Sequence, residues 1–327
     1  MCSSDPSLLS PVIVVLHNCL MDGHTGLHLE RCTELVTHRS LITALLHHCA
    51  PAQGSSTTDN VRETYVEWMT LIVDKLLMAH LFPQLYEAIT VSSCRITPEQ
   101  IVLFQMVAVC CTPSSSSRTK RAVQFMSSSS ALSVATKQTF VDILVLLQPM
   151  LPTESDREQM WHRLALEGKF LLYEVIGGLC SDERDVLKVE DEEMWQKVLE
   201  LSLVDMRQHF PELELPRGFK SELIRCVGNL CFRHHGRQEY IRSAGGLEIM
   251  LNHCHIEDKH PFLREWSVLA LRNCCEGNET NQQYVQQFHP QAVSEQTQVD
   301  LQNVGVEAQL NQGSSSLQFS SNSTVNN

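Results

Sequence analysis

Residues Phe219 to Phe288 read FKSELIRCVGNLCFRHHGRQEYIRSAGGLEIMLNHCHIEDKHPFLREWSVLALRNCCEGNETNQQYVQQF, and they decide the fold because they state one helical unit twice. Two apolar runs each end in an asparagine flanked by Leu or Cys, VGNLC around Asn229 and LRNCC around Asn273, 44 residues apart. Between them lie a short polar helix (Gly236 to Ser243), a glycine pair (Gly245, Gly246) and a helix over Leu247 to Cys254. Leu247, Met250, Leu251 and Cys254 stand at i, i+3, i+4, i+7, one apolar stripe on a helix whose other face is solvated. Glycine tolerates positive φ, so the pair predicts a sharp turn between two helices. The unit is three helices per 44 residues, within the ~40 to 47 of HEAT and armadillo repeats.

The helix over Pro261 to Cys275 is apolar almost all round, with Phe262, Trp266 and Leu269 on one side and Leu263, Ala270 and Cys274 on another. Such a helix has no face for water, so it is expected between neighbours, as the third helix of a stacked repeat.

These residues carry a resemblance. The runs FKSELIRCVGNLCFR, GGLEIMLNHC and PFLREWSVLALRN together resemble the C-terminal repeats of the ataxin-10 family of armadillo-repeat proteins. The resemblance is specific over Phe219 to Tyr284, weaker from Glu67 to Leu203 and faint at both ends. It implies an all-α, armadillo/HEAT-like right-handed solenoid acting as a non-enzymatic protein–protein scaffold without a cofactor. It also implies a cytoplasmic and perinuclear location, extending to centrosome, cilium basal body and midbody. Roles in neuron survival, neurite extension, cytokinesis and cilium assembly are implied by it, as are signalling and glycosyl-transfer partners and self-association.

Composition agrees with a helical stack. The chain of 327 residues is 43% hydrophobic with only 14 Gly and 12 Pro, fewer than a β-sandwich with many tight turns would want. A formal charge of −13 argues against nucleic acid, whose non-specific affinity rests on clustered Lys and Arg. The 13 cysteines are odd in number and mostly sit in apolar helical runs, as buried thiols of a reducing compartment do. The run VIVVL is too short to cross a bilayer and lacks a basic flank, so no membrane partner is expected.

Taken in order, residues 1–10 read as a disordered start and 11–288 as the helical repeat domain, with 216–288 its most specific part. Pro11 to Leu20, PVIVVLHNCL, ends near Asn18 in the apolar setting of Asn229 and Asn273. Next come a helix from Leu27 to Val36 and then LITALLHHC, with Ile42, Leu45, Leu46 and Cys49 at helical spacing, a third copy of the unit. From Asn18 to Asn229 is 211 residues, close to five intervals of the period, which gives four to six repeats.

PAQGSSTTDN (51–60) is a linker by composition, and the long helix after it, with Trp68, Ile72, Leu76 and Ala79 in register, is broken or kinked at Pro83. Thr97, Pro98 and Gln100 form a capping-box signature opening a helix that runs to Cys111. Residues 112–130 carry two four-serine runs around Arg118, Lys120 and Arg121 and read as a disordered loop, with regulatory phosphorylation as the functional alternative. Helices over 131–147 and 154–180 come next, and in the second Gly178-Leu179-Cys180 replaces the repeat's Asn-Leu-Cys. Residues 181–193 read as an acidic loop before a helix from Met194 to Gln208, and 289–327 as a disordered polar tail.

Chemistry is hard to find. His253-Cys254-His255 and His47-His48-Cys49 lack the spaced pairs that converge on zinc, so no metal site is expected. No glycine-rich phosphate loop, G-x-S-x-G or H-E-x-x-H occurs, which argues against an enzyme.

A binding surface remains. In peptide-binding armadillo proteins a third-helix asparagine lines the concave groove beside a tryptophan one turn earlier. Asn18, Asn229 and Asn273 match the asparagine, but Val14, Arg225 and Leu269 stand where the tryptophan would, and Trp266 lies seven residues before Asn273. The asparagines therefore either face a peptide, as in an adaptor of the nuclear-transport type, or hydrogen-bond within the scaffold. Arg225 and Arg272 are expected near the same face, suited to an acidic partner. Only ten residues precede Pro11, so the chain reads as an N-terminally shortened form of the family. Val12, Val15, Leu16 and Cys19 are then expected to form an exposed patch for self-association.

Overall fold

The computed structural model describes residues 6–21, 25–50, 59–91, 96–111, 132–148, 156–180, 192–208, 215–254, 258–288, 306–311 and 316–321. The chain divides into two compact units, Met1–Glu276 and Gly277–Asn327. In the first, the described helices are α1 (Pro6–Met21), α2 (Thr25–Thr37), α3 (Arg39–Cys49), α4 (Asp59–Met78), α5 (Phe82–Ile89) and α6 (Pro98–Cys111). They continue with α7 (Val134–Leu146), α8 (Asp156–Leu179), α9 (Glu192–Arg207), α10 (Phe219–Cys231), α11 (His235–Ser243), α12 (Gly246–Asn252) and α13 (Leu263–Cys275). The second unit holds α14 (Glu279–Gln286) and strands β1 (Val306–Asn311) and β2 (Ser316–Ser321).

The first unit is an all-α stack in two rows. In the central row α1, α4, α6, α8, α10 and α13 each pack on the next, and in the flanking row α2, α5, α7, α9 and α12 do the same. Each helix thus draws its main contacts from neighbours in the stack, the arrangement of a repeat solenoid. The central row is built by its residues: Met69, Ile72, Val73, Leu76 and Leu77 of α4 and Leu103, Phe104 and Val107 of α6 are wholly buried. Each such side chain contributes about 1.5–3 kcal/mol by leaving water. The spacing also gives these helices apolar surface on more than one side, as a helix between two neighbours needs.

Local signals place the ends. The Gln100 N–H donates to Thr97 Oγ1 at 3.3 Å and the Thr97 N–H to Gln100 Oε1 at 2.8 Å, the reciprocal capping box that opens α6. The break expected at Pro83 falls just before it: α4 ends at Met78, His80 has φ 60°, and Pro83 sits in the first turn of α5. Both glycines of the turn before α12 are required, for different reasons. Gly245 holds φ 71°, whereas a Cβ on Gly246 would come 2.9 Å from Ile241 Cγ2 and 3.0 Å from Leu203 Cδ2.

Several sequence expectations need correction. Residues 6–10, expected to be disordered, are the first turns of α1, and the repeat domain expected to end at 288 is divided after Glu276. The acidic run is helical from Glu192 on; its residues 181–191, like the serine-rich 112–130 and most of the 51–60 linker, lie outside the described residues. Within the expected polar tail β1 and β2 pair antiparallel, with Ala308 opposite Phe319 and Leu310 opposite Leu317. Val306, Ala308 and Leu310 alternate with polar residues, a period of two that a strand satisfies and a composition count overlooks. Finally, α13 is not enclosed: Val268 is 56% exposed and Phe262, at its N-cap, 69%.

Candidate protein-binding faces

The repeat asparagines lie at the seams of the central row. Asn229 Nδ2 donates to the Gly177 carbonyl of α8 at 2.8 Å, and Asn273 Nδ2 donates to the Gly228 carbonyl of α10 at 3.1 Å. A helix-interior carbonyl has a second lone pair free for such a bond, provided the donor comes close. Closeness at the second seam comes from Gly228, where a Cβ would stand 2.9 Å from both Cα and Cβ of Ala270. Asn273 is only 7% exposed, so its amide is spent inside the scaffold and closed to a peptide. Asn229 is half-buried and committed in the same way. Asn18 behaves differently: it is exposed, and its Oδ1 lies 3.5 Å from Nδ1 of the adjacent His17.

Arg225 is also held by its neighbours. Its Nε donates to Glu222 at 2.8 Å, its Nη2 to the Glu174 carbonyl at 3.1 Å, and its guanidinium lies over the Trp266 ring at 5.8 Å. Trp266, out of place for a peptide groove, thus clamps the arginine between α8, α10 and α13. Burial and then the charge of Glu222 push the Glu174 carboxyl above its usual range, with Arg225 opposing them. Arg272 is exposed on α13, whereas Arg225 is half-buried on α10.

On α1 the two faces separate cleanly. Ile13, His17 and Leu20 are buried, with the His17 ring edge-on to Trp68 at 4.8 Å. Val12 and Val15 are 42% and 60% exposed, Cys19 is exposed and Leu16 half-buried.

Sequence reading missed the interior polar bonds. The buried Asp205 carboxylate of α9 receives Lys169 Nζ at 2.8 Å, Tyr173 Oη at 2.7 Å and Gln148 Nε2 at 3.0 Å, tying α8 and the end of α7 to α9. Burial, followed by the Asp205 charge, holds the Tyr173 hydroxyl protonated far above its usual range. In the short polar helix α11, Arg237 is wholly buried: it grips Glu192 at 2.6 and 3.2 Å and donates to the Leu230 carbonyl at 3.2 Å. Its neighbour Gln238 donates to the carbonyls of Cys231, Asn273 and Glu276 at the ends of α10 and α13. The available signal was a charged residue inside an apolar run, Lys169 in GKFLLYEVIGGL and Asp205 in LSLVDM.

The His47-His48-Cys49 cluster does not converge, and His255 of the other cluster lies outside the described residues. His47 bonds Glu99 at 3.0 Å beside a cleft of about 530 Å³, whereas Cys49 is buried on the other side of α3. Among the described residues no group of His, Cys, Asp and Glu is placed to hold a metal. Burial raises the thiols of Cys110, Cys226 and Cys254, the opposite of what a nucleophilic thiolate needs. No described helix is long and apolar enough to cross a membrane.

Comparison with known proteins places part of this architecture. The spinocerebellar ataxia type 10 protein domain matches residues 219–318. The ataxin-10 homolog of Dictyostelium discoideum is 43% identical over 91 residues, 28% of this chain and 15% of that protein. Human ataxin-10 is 36% identical over 92 residues, 28% of this chain and 19% of that protein. The ataxin-10 homolog of Saccharomyces cerevisiae is 28% identical over 116 residues, 35% of this chain and 21% of that protein. The matched segment therefore spans about a fifth or less of these relatives' lengths. No solved structure matches the chain. Residues 219–318, which begin with the helices of the asparagine seam, are therefore similar to the matching segment of the ataxin-10 proteins.

Proposed function

We propose that the chain is a non-enzymatic scaffold that gathers other proteins on the faces of its helical stack. The observation that carries this reading is the two-row stack itself, whose buried Lys169–Asp205 and Arg237–Glu192 pairs are taken up by structural bonds while its sides offer multi-helix surface. Repeat stacks use such surfaces to bind. Partners are proteins rather than nucleic acid, in keeping with a formal charge of −13, and include a second copy of the chain through Val12, Val15, Leu16 and Cys19 of α1.

The similarity of residues 219–318 to ataxin-10 proteins supports the cellular roles the resemblance implies: cytokinesis, cilium assembly and neuron projection development, in the cytoplasm and near the nucleus. Relatives of the matched segment occur in Dictyostelium and Saccharomyces, which have no neurons, so a task in cell division is favoured over a neuron-specific one. Signalling and glycosyl-transfer proteins remain the partner classes proposed from the resemblance. A peptide-groove adaptor draws less support, because Asn229 and Asn273 are bonded to neighbouring helices.

The test is affinity capture from dividing cells with the full chain and two surface variants, Val12→Glu with Leu16→Glu, and Val268→Glu with Arg272→Glu. Each variant is expected to lose a defined subset of partners with an unchanged melting temperature. Identical capture by all three forms would overturn the scaffold reading.

A further inference from the structure

Helices α7 and α9 pack against each other in the flanking row and leave an open groove of about 590 Å³ between them. Its floor is apolar, formed by Val141 of α7 and Met194 of α9, both buried. Its lip is apolar too: Val134 and Val145 line the groove yet are 54% and 44% exposed. With Val141 they stand at i, i+7 and i+11, one stripe along α7. Branched aliphatic side chains in such a row, exposed beside a concavity, mark surface that gains by being covered.

The rim is net acidic. Among the described residues Asp142, Glu193 and Glu200 line it, against a single Lys197, which is held by Glu200 at 3.1 Å. Three carboxylates less one ammonium leave a net charge of two negative among the described residues around an apolar floor. An anionic lipid or a nucleic acid would be repelled, and the groove is open rather than a closed pocket for a small apolar ligand. A groove between two packed helices has the shape of a third helix, which seats one apolar face along the stripe and its polar flanks on the rim.

We propose that the α7–α9 groove is a docking site for a basic amphipathic helix of a protein partner. The occupant carries Leu- or Ile-sized residues at i, i+3 or i+4, and i+7, with Lys or Arg on either side facing Asp142, Glu193 and Glu200. This deepens the scaffold reading and rests on it, by assigning one face of the stack and the chemistry of what binds there.

The probe is a fluorescein-labelled peptide of Leu and Lys with that spacing, about 16 residues long so that it can form a helix. It is titrated against the full chain by fluorescence anisotropy at near-physiological salt, where exposed charges are screened beyond about 8 Å. Saturable binding is expected. Glu193→Lys with Glu200→Lys, and separately Val145→Asp, are expected to weaken it about tenfold or more, a loss of roughly 1.4 kcal/mol. Glu30→Lys with Glu67→Lys, exposed acids on α2 and α4, should leave it unchanged. Val134→Asp in the first turn of α7 is a second apolar variant, in case Val145→Asp lowers the melting temperature. The proposal is overturned if binding is absent, if the control pair weakens it as much as the groove pair, or if a Leu and Glu peptide of the same spacing binds equally well. Those outcomes would leave partner capture through α1 and α13 untouched, so failure here is distinct from failure of the scaffold reading.

Discussion

Two junctions of the central row solve one packing problem by different means. Between α4 and α6 the buried surface is aliphatic and aromatic, Ile72, Val73, Leu76 and Leu77 against Leu103, Phe104 and Val107. A polar contact there is a weak one, the Cys110 thiol 3.9 Å from the Thr70 carbonyl. Between α10 and α13 a missing Cβ at Gly228 sets the approach, and the Asn273 amide fastens it to the Gly228 carbonyl. Apolar contact is non-directional and accepts many side chains of about the right size. An amide bonded to one carbonyl accepts one residue type at one register. The 44-residue period is legible where the second device operates, and the matches to ataxin-10 proteins fall there as well.

The largest expected effect lies where α8 meets α9. Lys169→Met leaves Asp205 buried without its cation, and should cost about 3–5 kcal/mol in urea unfolding. Adding Asp205→Leu should restore most of that loss, because the uncompensated charge goes with it. A single variant within about 1 kcal/mol of wild type would show that the pair is not what fixes this seam.

A sharper contrast sets a volume-conserving apolar swap against the replacement of a bonded amide. Leu103→Met at the apolar junction should cost less than about 1.5 kcal/mol. Asn273→Leu should cost about 1–3 kcal/mol, since the buried amide's bonds are lost and a bulky apolar group meets a helix seam spaced by glycine. Equal losses for the two would erase the distinction between the junctions.

Much of this was legible in the sequence, and the limits are physical. The helices of 219–288, the Thr97 capping box and the Gly245 turn are set by periodicity and local backbone chemistry, which neighbours in sequence determine. The destination of an asparagine is not. An amide aimed at a peptide and one aimed at a carbonyl on the next helix have the same sequence signature, and only the spacing created by Gly228 tells them apart. Arg237 was hidden for a related reason: a helix reading HGRQEYIRS looks solvated, and the partner that allows the guanidinium to be buried, Glu192, is 45 residues away.

The smallest expected effect is a pH dependence at that pair. Burial raises the Glu192 pKa, but the hydrogen bonds and charge of Arg237, with His234, outweigh it and hold the carboxyl below its ordinary 4.5. A depressed carboxyl stabilises the fold above its unfolded pKa and loses that contribution as pH falls through the folded value. Glu192→Gln should therefore flatten the fall in melting temperature between about pH 5 and pH 3 while lowering it slightly at neutral pH. Parallel curves for the two proteins would mean that Arg237 is held by the Leu230 carbonyl and packing alone.

The two-row stack has a consequence for how the chain comes to its final form. Because each helix of the first unit packs chiefly on helices no more than three places away in chain order, the contacts that stabilise it involve chain segments made soon before or after it. Ordering can advance helix by helix as the polypeptide emerges, without waiting for distant segments to find one another. The same locality works in reverse: opening at one junction need not spread, so α13 can detach from α10 while α4 and α6 stay protected from solvent exchange. Amide exchange should then appear as a gradient along the chain rather than one cooperative step.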